Sequence, residues 1–196
     1  ALDFSIKTED ILKKKPFLFF IKDEKLINNY IKEDQNNVIF IVGASWPSKI
    51  YSKEKFVKLA NKIDSNVLIV WGNIEEKQIA QCISKQSNAK VLPKLNLNDL
   101  KYLIASSDLV IGNDTGPTHM AWALNVPSIT LFGNTPGYRN TYTTRINKIL
   151  ESNSKVNPRK IDKNDFSISS IDENKIESLA NELLENKEFR KKGKNV

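Results

Sequence analysis

Leu109-Val-Ile-Gly-Asn-Asp-Thr-Gly-Pro-Thr-His-Met-Ala-Trp-Ala-Leu124 is the stretch on which the reading of the fold turns. Leu109–Gly112 is a short run without polar alternation, the pattern of a strand buried on both faces. Pro117–Leu124 reads as a helix. Proline suits its first turn, where a missing N–H costs no hydrogen bond, and Thr115 or Gly116 supplies the cap. A buried strand passing through a brief polar turn into a helix is one β–α unit of a parallel sheet.

The same unit recurs on both sides. Upstream, Val38–Val42 reads as a strand and Lys53–Ile63 as a helix with Phe56, Leu59, Ala60 and Ile63 on one face. Val67–Trp71 and Ala89–Leu92 read as strands, Glu75–Ile83 and Leu97–Ala105 as helices, the last capped by Asn96 or Asn98. Downstream come a strand at Ser128–Phe132, a polar stretch Thr141–Ser170 and a closing helix Asp172–Phe189. Phe17–Ile21 also has strand length, and Lys22–Glu33 has a helix-like pattern. Five alternations imply an α/β fold, a Rossmann-like doubly wound parallel sheet in the order 3-2-1-4-5. The organisation expected is 1–36 as linker and first helix, 37–142 as the Rossmann-like core, and 143–196 as polar segment, closing helix and basic tail.

Composition narrows the function classes. The 196 residues include 30 Lys and Arg against 23 Asp and Glu, a net charge of +7. Only Arg139, Arg145, Arg159 and Arg190 are arginine, which argues against a nucleic-acid reader built on bidentate contacts. The tail Lys187–Val196 concentrates cations and suits a solvated surface or an anionic membrane. One cysteine, Cys82, excludes an internal disulfide framework, and one histidine, His119, excludes a multi-histidine metal centre. No apolar run nears the ~20 residues of a membrane span, and no signal-peptide pattern is present. The glycine patterns of classical dinucleotide and P-loop sites are absent. The chain starts at Ala1, as expected of a processed protein or a piece of a longer one.

Ligands of doubly wound sheets bind beyond the carboxyl ends of the strands. On that rim the sequence places Ser45 and Lys49 after strand one, Glu75 and Glu76 after strand two, and Lys94 and Leu95 after strand three. Asp114–His119 follow strand four, and Gly133–Asn140 follow strand five. Strands one and four are neighbours at the switch point, so Ser45 and Lys49 face Asp114–His119 across one crevice. The amides of Gly116, Thr118 and His119 at a helix start form a ready anion site, to which Thr115 and Thr118 add hydroxyls and Lys49 adds charge. Glu75 and Glu76 either favour the helix dipole or accept bonds from sugar hydroxyls. His119 either binds phosphate, shuttles a proton or is structural.

Asp108 through His119, with Ala121–Leu124, Pro127 and Leu131-Phe-Gly-Asn-Thr-Pro136, resembles the C-terminal half of the lipopolysaccharide heptosyltransferases, glycosyltransferase family 9. Val70-Trp-Gly72 and Val91-Leu-Pro-Lys94 fit the same pattern, nearest the heptosyltransferase I branch. The likeness spans about residues 38–142. It implies a GT-B enzyme of two Rossmann-like domains that transfers heptose, with inversion, from ADP-L-glycero-D-manno-heptose to Kdo-lipid A. No cofactor and no Asp-x-Asp-bound metal is implied. By position it implies that Lys49 contacts donor phosphate, with Ser45 as a phosphate-binding hydroxyl. Glu76, or Glu75 if the loop slips by one, would hold the ribose, and Leu95 would pack near adenine. Asp114 would bind the heptose, and Thr115, Gly116, Thr118 and His119 would belong to the pyrophosphate-binding helix start. Lys49 and Asp114 are the expected catalytic side chains. On this reading Lys49→Ala costs turnover far more than stability.

The family often has two hydroxyl residues where this chain has Ala44-Ser45. Arg139 is expected to add charge near the diphosphate. The family's catalytic base lies in an N-terminal domain with no counterpart in residues 1–36, so the chain reads as the donor-binding half. The acceptor and a peripheral contact with the inner face of the bacterial inner membrane, in the cytoplasm, follow from the resemblance. The alternative is a non-catalytic nucleotide or nucleotide-sugar binding module. A nucleic-acid partner is not expected.

Overall fold

The computed structural model describes residues 7–23 and 27–186. Six strands, β1 (Asn37–Ile41), β2 (Asn66–Val70), β3 (Lys90–Val91), β4 (Leu109–Asn113), β5 (Ser128–Phe132) and β6 (Asn147–Glu151), form one sheet in the order β3-β2-β1-β4-β5-β6. Every neighbouring pair is parallel. The helices are α1 (Thr8–Leu12), α2 (Lys53–Lys62), α3 (Ile74–Ser84), α4 (Leu97–Ala105), α5 (Gly116–Ala123), α6 (Gly137–Asn140) and α7 (Glu173–Glu185), with 3-10 turns at Pro47–Lys49 and Ser167–Ser170.

The apolar strands β1, β2, β4 and β5 are buried along their whole length. Successive side chains feed opposite faces. Val38 and Phe40 pack with Phe56 and Leu59 of α2 and with Ile176 and Leu183 of α7. Ile39 and Ile41 pack with Leu103 of α4 and Ala121 of α5. Side-chain caps start the longer helices: Ser52 accepts from Lys55, Asn73 from Glu76, Asn96 from Asp99 and Asp172 from Asn174. Asn96 is thus the cap of α4, while Asn98 bonds elsewhere.

Three sequence expectations differ. The polar stretch after Thr141 contributes β6, a half-buried edge strand paired to β5. Phe17–Ile21 is not in the sheet; it is an extended strap across α4 and α5. Phe17 N donates to Ala123 O at 3.2 Å, Ile21 N to Asn98 Oδ1 at 2.8 Å, and Phe20 stacks on Tyr102 with centroids 5.6 Å apart. Within Lys22–Glu33, residues 24–26 lie outside the described residues, and 28–33 form a turn and irregular chain. The tail Lys187–Val196 also lies outside them, and α7 ends at Glu185.

The winding direction reverses between β1 and β4, where Ile41 pairs with Gly112. A Cβ on Gly112 would stand 2.5 Å from Ile41 Cβ and 2.6 Å from Thr118 Oγ1, so this close approach requires glycine. One residue on, the fully buried Asn113 ties the two strand ends together. Its Nδ2 donates to Val42 O at 3.0 Å and Gly43 O at 3.2 Å, and its Oδ1 accepts from Tyr51 N at 3.0 Å. Asn113→Ala strands buried backbone groups and is expected to lower stability by about 2–4 kcal/mol in urea unfolding. A loss under about 0.5 kcal/mol would show that the joint is held by other means.

Candidate active site

The segment after β4 leaves the sheet at its carboxyl rim and starts α5. Thr115 is the N-cap in extended conformation, and its hydroxyl makes no cap bond. His119 N already donates to Thr115 O at 3.2 Å. The remaining first-turn amides are those of Gly116 and Thr118. Gly116 is exposed, with open space around the position of a Cβ. This is a helix start with its amide end accessible, the setting that favours an anion.

Asp114 is the centre of the site. It is 4% exposed, yet it accepts four hydrogen bonds. Lys49 Nζ lies 2.5 Å from Oδ2, Thr135 Oγ1 donates at 2.8 Å and Asn140 Nδ2 at 2.9 Å to the same oxygen. His119 Nε2 lies 2.9 Å from Oδ1. Burial alone pushes the carboxyl pKa up. The bonds from His119, Lys49 and Thr135, with the Lys49 charge, outweigh burial and hold it well below the ordinary carboxylate range. Lys49 is itself only 7% exposed. It ends the 3-10 turn that begins at Pro47, and its ammonium lies 4.8 Å from the centroid of the Trp46 ring. Lys163 Nζ lies 5.1 Å from the same ring.

Glu76 sits beside this centre at the start of α3. Its carboxylate accepts from Gly72 N at 2.7 Å and from Asn73 Nδ2 at 3.2 Å. It lies directly over Gly43, where a Cβ would meet the carboxyl carbon at 2.1 Å. Glu75 is exposed. Of the two, Glu76 is the carboxylate aimed across the end of β1. Ser45 is exposed in the loop after β1, and Leu95 packs half-buried against the α4–α5 side of the core.

The structure therefore gathers Lys49, Asp114, Thr115, Gly116 and His119 at the switch point, with Ser45 and Glu76 on adjoining loops. Two expectations change. The Thr118 hydroxyl is not offered to a ligand: the residue is fully buried and donates to Asn113 O at 2.8 Å, filling the space that Gly112 leaves. The Arg139 guanidinium is engaged by the main chain, donating to Pro158 O at 2.6 Å. Lys49 also gains a role in stability, because it is paired inside the protein and not free on the rim. Sequence reasoning put Thr135 and Asn140 on the rim, Thr135 within the family-like segment Leu131–Pro136, but gave neither a role; the structure shows both donating to Asp114.

Among the described residues no three His, Cys, Asp or Glu side chains group as metal ligands. A pocket of ≈ 320 Å³ lined by Lys32, Lys62, Asp64, Asn66 and Lys90 lies at the opposite end of the sheet, away from any of these groups.

A family model described as Glycosyltransferase family 9 (heptosyltransferase) matches residues 13–166. Lipopolysaccharide heptosyltransferase 1 of Campylobacter coli is 39% identical over 187 residues, covering 90% of this chain and 54% of its own length. The protein of that name from Pseudomonas aeruginosa is 32% identical over 110 residues, covering 54% and 31%. The chain thus spans about half the length of the first relative and less of the second. Among solved structures, a family 9 glycosyl transferase from Veillonella parvula superposes with a TM-score of 0.73 at 19% identity, covering 85% of this chain and 53% of that one. The E. coli heptosyltransferase WaaC with ADP gives 0.64 at 19% identity, covering 82% and 48%. Both superpositions show the same α/β fold.

Removing Lys49 leaves Asp114 buried with three neutral or weakly basic partners. Lys49→Met is expected to lose about 3 kcal/mol at pH 7. Because the folded carboxyl is depressed, its contribution is whole above the unfolded value of about 3.9 and fades as pH falls through the folded value. The gap between Lys49→Met and the parent protein should therefore narrow between pH 5 and pH 2 in urea titrations. A gap that stays constant with pH would show that the lost stability is packing and not charge.

Proposed function

The chain belongs to glycosyltransferase family 9, and from that membership and the geometry of the rim we propose that it is the donor-binding half of an inverting heptosyltransferase of lipopolysaccharide biosynthesis. One observation carries the reading. A charged, buried Asp114–Lys49 pair stands beside an open helix N-terminus at the switch point of the sheet. That combination offers hydrogen-bond acceptors for a sugar and positive potential for a diphosphate within one crevice.

The donor in this reading is ADP-L-glycero-D-manno-heptose. The E. coli heptosyltransferase WaaC has been solved with ADP and with ADP-2-deoxy-2-fluoro heptose, which supports that class of donor here. The diphosphate takes the Gly116 and Thr118 amides and the Lys49 ammonium. Ser45 adds a hydroxyl, and Thr115 a second. Glu76 accepts from the ribose hydroxyls, and Leu95 borders the base. Asp114 accepts from hydroxyls of the heptose. His119, Thr135 and Asn140 keep Asp114 ionised and oriented when Lys49 shifts toward phosphate.

In the transfer, an acceptor hydroxyl oxygen attacks the anomeric carbon from the face opposite the diphosphate. The bond from that carbon to the β-phosphate oxygen breaks, and its electron pair stays on the phosphate. The acceptor proton passes to a base outside the residues named here. Lys49 and the helix-start amides stabilise the charge gathering on the leaving diphosphate, a contribution of about 10²–10³ in kcat for one such donor group. In this reading the acceptor is the Kdo-lipid A inner core and the enzyme works as a peripheral protein at the inner face of the bacterial inner membrane.

Calorimetric titration of this chain tests the donor reading. ADP and ADP-heptose are expected to bind and UDP is not. Glu76→Gln should weaken ADP roughly tenfold while leaving inorganic pyrophosphate unchanged. Equal affinity for UDP and ADP, or no effect of Asp114→Asn on ADP-heptose relative to ADP, would contradict it.

A further inference from the structure

Residues 13–22, Lys-Lys-Lys-Pro-Phe-Leu-Phe-Phe-Ile-Lys, contain four lysines and no acidic residue. Leu18 and Phe20 of the strap pack inward against the α4–α5 side of the core. Phe17, Phe19 and Ile21 point the other way and are 50%, 86% and 79% exposed. Ring contacts extend the row at one end: Phe17 meets Trp122 with centroids 6.0 Å apart, and Trp122 meets Tyr142 at 6.3 Å. At the other end Asn98 pairs both main-chain groups of Ile21, each at 2.8 Å, and its neighbour Leu97 is also exposed.

The row cannot turn inward. Its backbone is tied to Ala123, to Asn98 and, through Phe19 O, to the Lys101 ammonium, and the inward positions are already filled. An apolar row held in water in this way marks an interaction surface. The charge around it says which kind. Lys13, Lys15 and Lys22 are all exposed and stand at both ends of the row, Lys13 with its ammonium 3.9 Å from the Glu9 carboxylate, Lys22 followed by the exposed Asp23, and Lys15 with no acidic partner among the described residues. Aromatic and aliphatic side chains flanked by lysines match the boundary between anionic headgroups and acyl chains.

We propose that the strap, through Phe17, Phe19 and Ile21 with Lys13, Lys15 and Lys22, docks the protein on an anionic bilayer surface. This gives a place to the membrane contact of the heptosyltransferase reading, while its test involves no donor. Phe17 is tied to the end of α5 remote from Asp114 and Ile21 to Asn98 at the start of α4, so the docked row runs along the flank of α4 and α5.

The test is co-sedimentation of the 196-residue chain with phosphatidylglycerol–phosphatidylethanolamine vesicles and with pure phosphatidylcholine vesicles. Binding to the anionic vesicles only, weakened by salt, is expected. The double variant Phe19→Ser/Ile21→Ser should lose at least ~tenfold in apparent affinity. Lys13→Gln/Lys15→Gln/Lys22→Gln should lose roughly fivefold per lysine. Thermal unfolding and ADP binding should match the parent in both, which separates this surface from the donor site. A chain ending at Asn186 should still show the loss on Phe19→Ser/Ile21→Ser. Equal sedimentation of parent and strap variants overturns the proposal, as does binding that depends only on residues 187–196. A concentration-dependent dimer in the absence of vesicles, abolished by Phe19→Ser, overturns it too and assigns the row to a second copy of the chain.

Discussion

A carboxylate that is buried and still charged dictates what must surround it. Asp114 is taken almost wholly out of water, which by itself favours the protonated acid. It remains ionised because donors arrive from three segments: Lys49 from the turn after β1, His119 from the first turn of α5, and Thr135 and Asn140 from the segment after β5. Such a convergence is available only where β4 lies between β1 and β5, and the sheet order supplies it. Buried pairs of this kind are poor devices for stability, since hydrophobic residues of similar volume often do better. Their presence at the carboxyl rim of a doubly wound sheet is better explained by chemistry.

The architecture around the pair has the same logic. Gly112 lets β1 and β4 come close enough for Thr118 to turn inward, and Asn113 locks the strand ends with bonds to both. The first turn of α5 is thereby fixed against the sheet while its amides face outward. Glu76, held by Gly72 and Asn73, is set over Gly43 on the next loop. Open helix-start amides, a lysine and two carboxylates are placed by rigid elements, an arrangement that suits an oriented, two-ended ligand.

The parts legible in sequence are those whose environment is uniform. β1, β2, β4 and β5 are buried on both faces, so their apolar runs announce them. β6 was hidden because an edge strand with half its surface wet needs only Ile149 and Leu150 among Asn147–Glu151 to be apolar. Phe17–Ile21 misled for the opposite reason: its apolar run packs on helices through alternate residues and presents the others outward. Lys49, Asp114, Gly116 and His119 were visible because they follow strand ends in a recognisable pattern. The role of Thr135 and Asn140 was not, because they lie 21 and 26 residues from Asp114 and meet it only through strand order. The inward turn of the Thr118 hydroxyl depends on a missing Cβ six residues earlier, a three-dimensional fact that its position at a helix start conceals.

A crystal structure of the chain with ADP tests most directly whether the Lys49–Asp114 pair and the α5 start together form the donor diphosphate site. Phosphate oxygens are expected within hydrogen-bond distance of Lys49 Nζ and the Gly116 amide, with the ribose against Glu76. ADP bound instead at the far end of the sheet, among Lys32, Lys62 and Lys90, would contradict it.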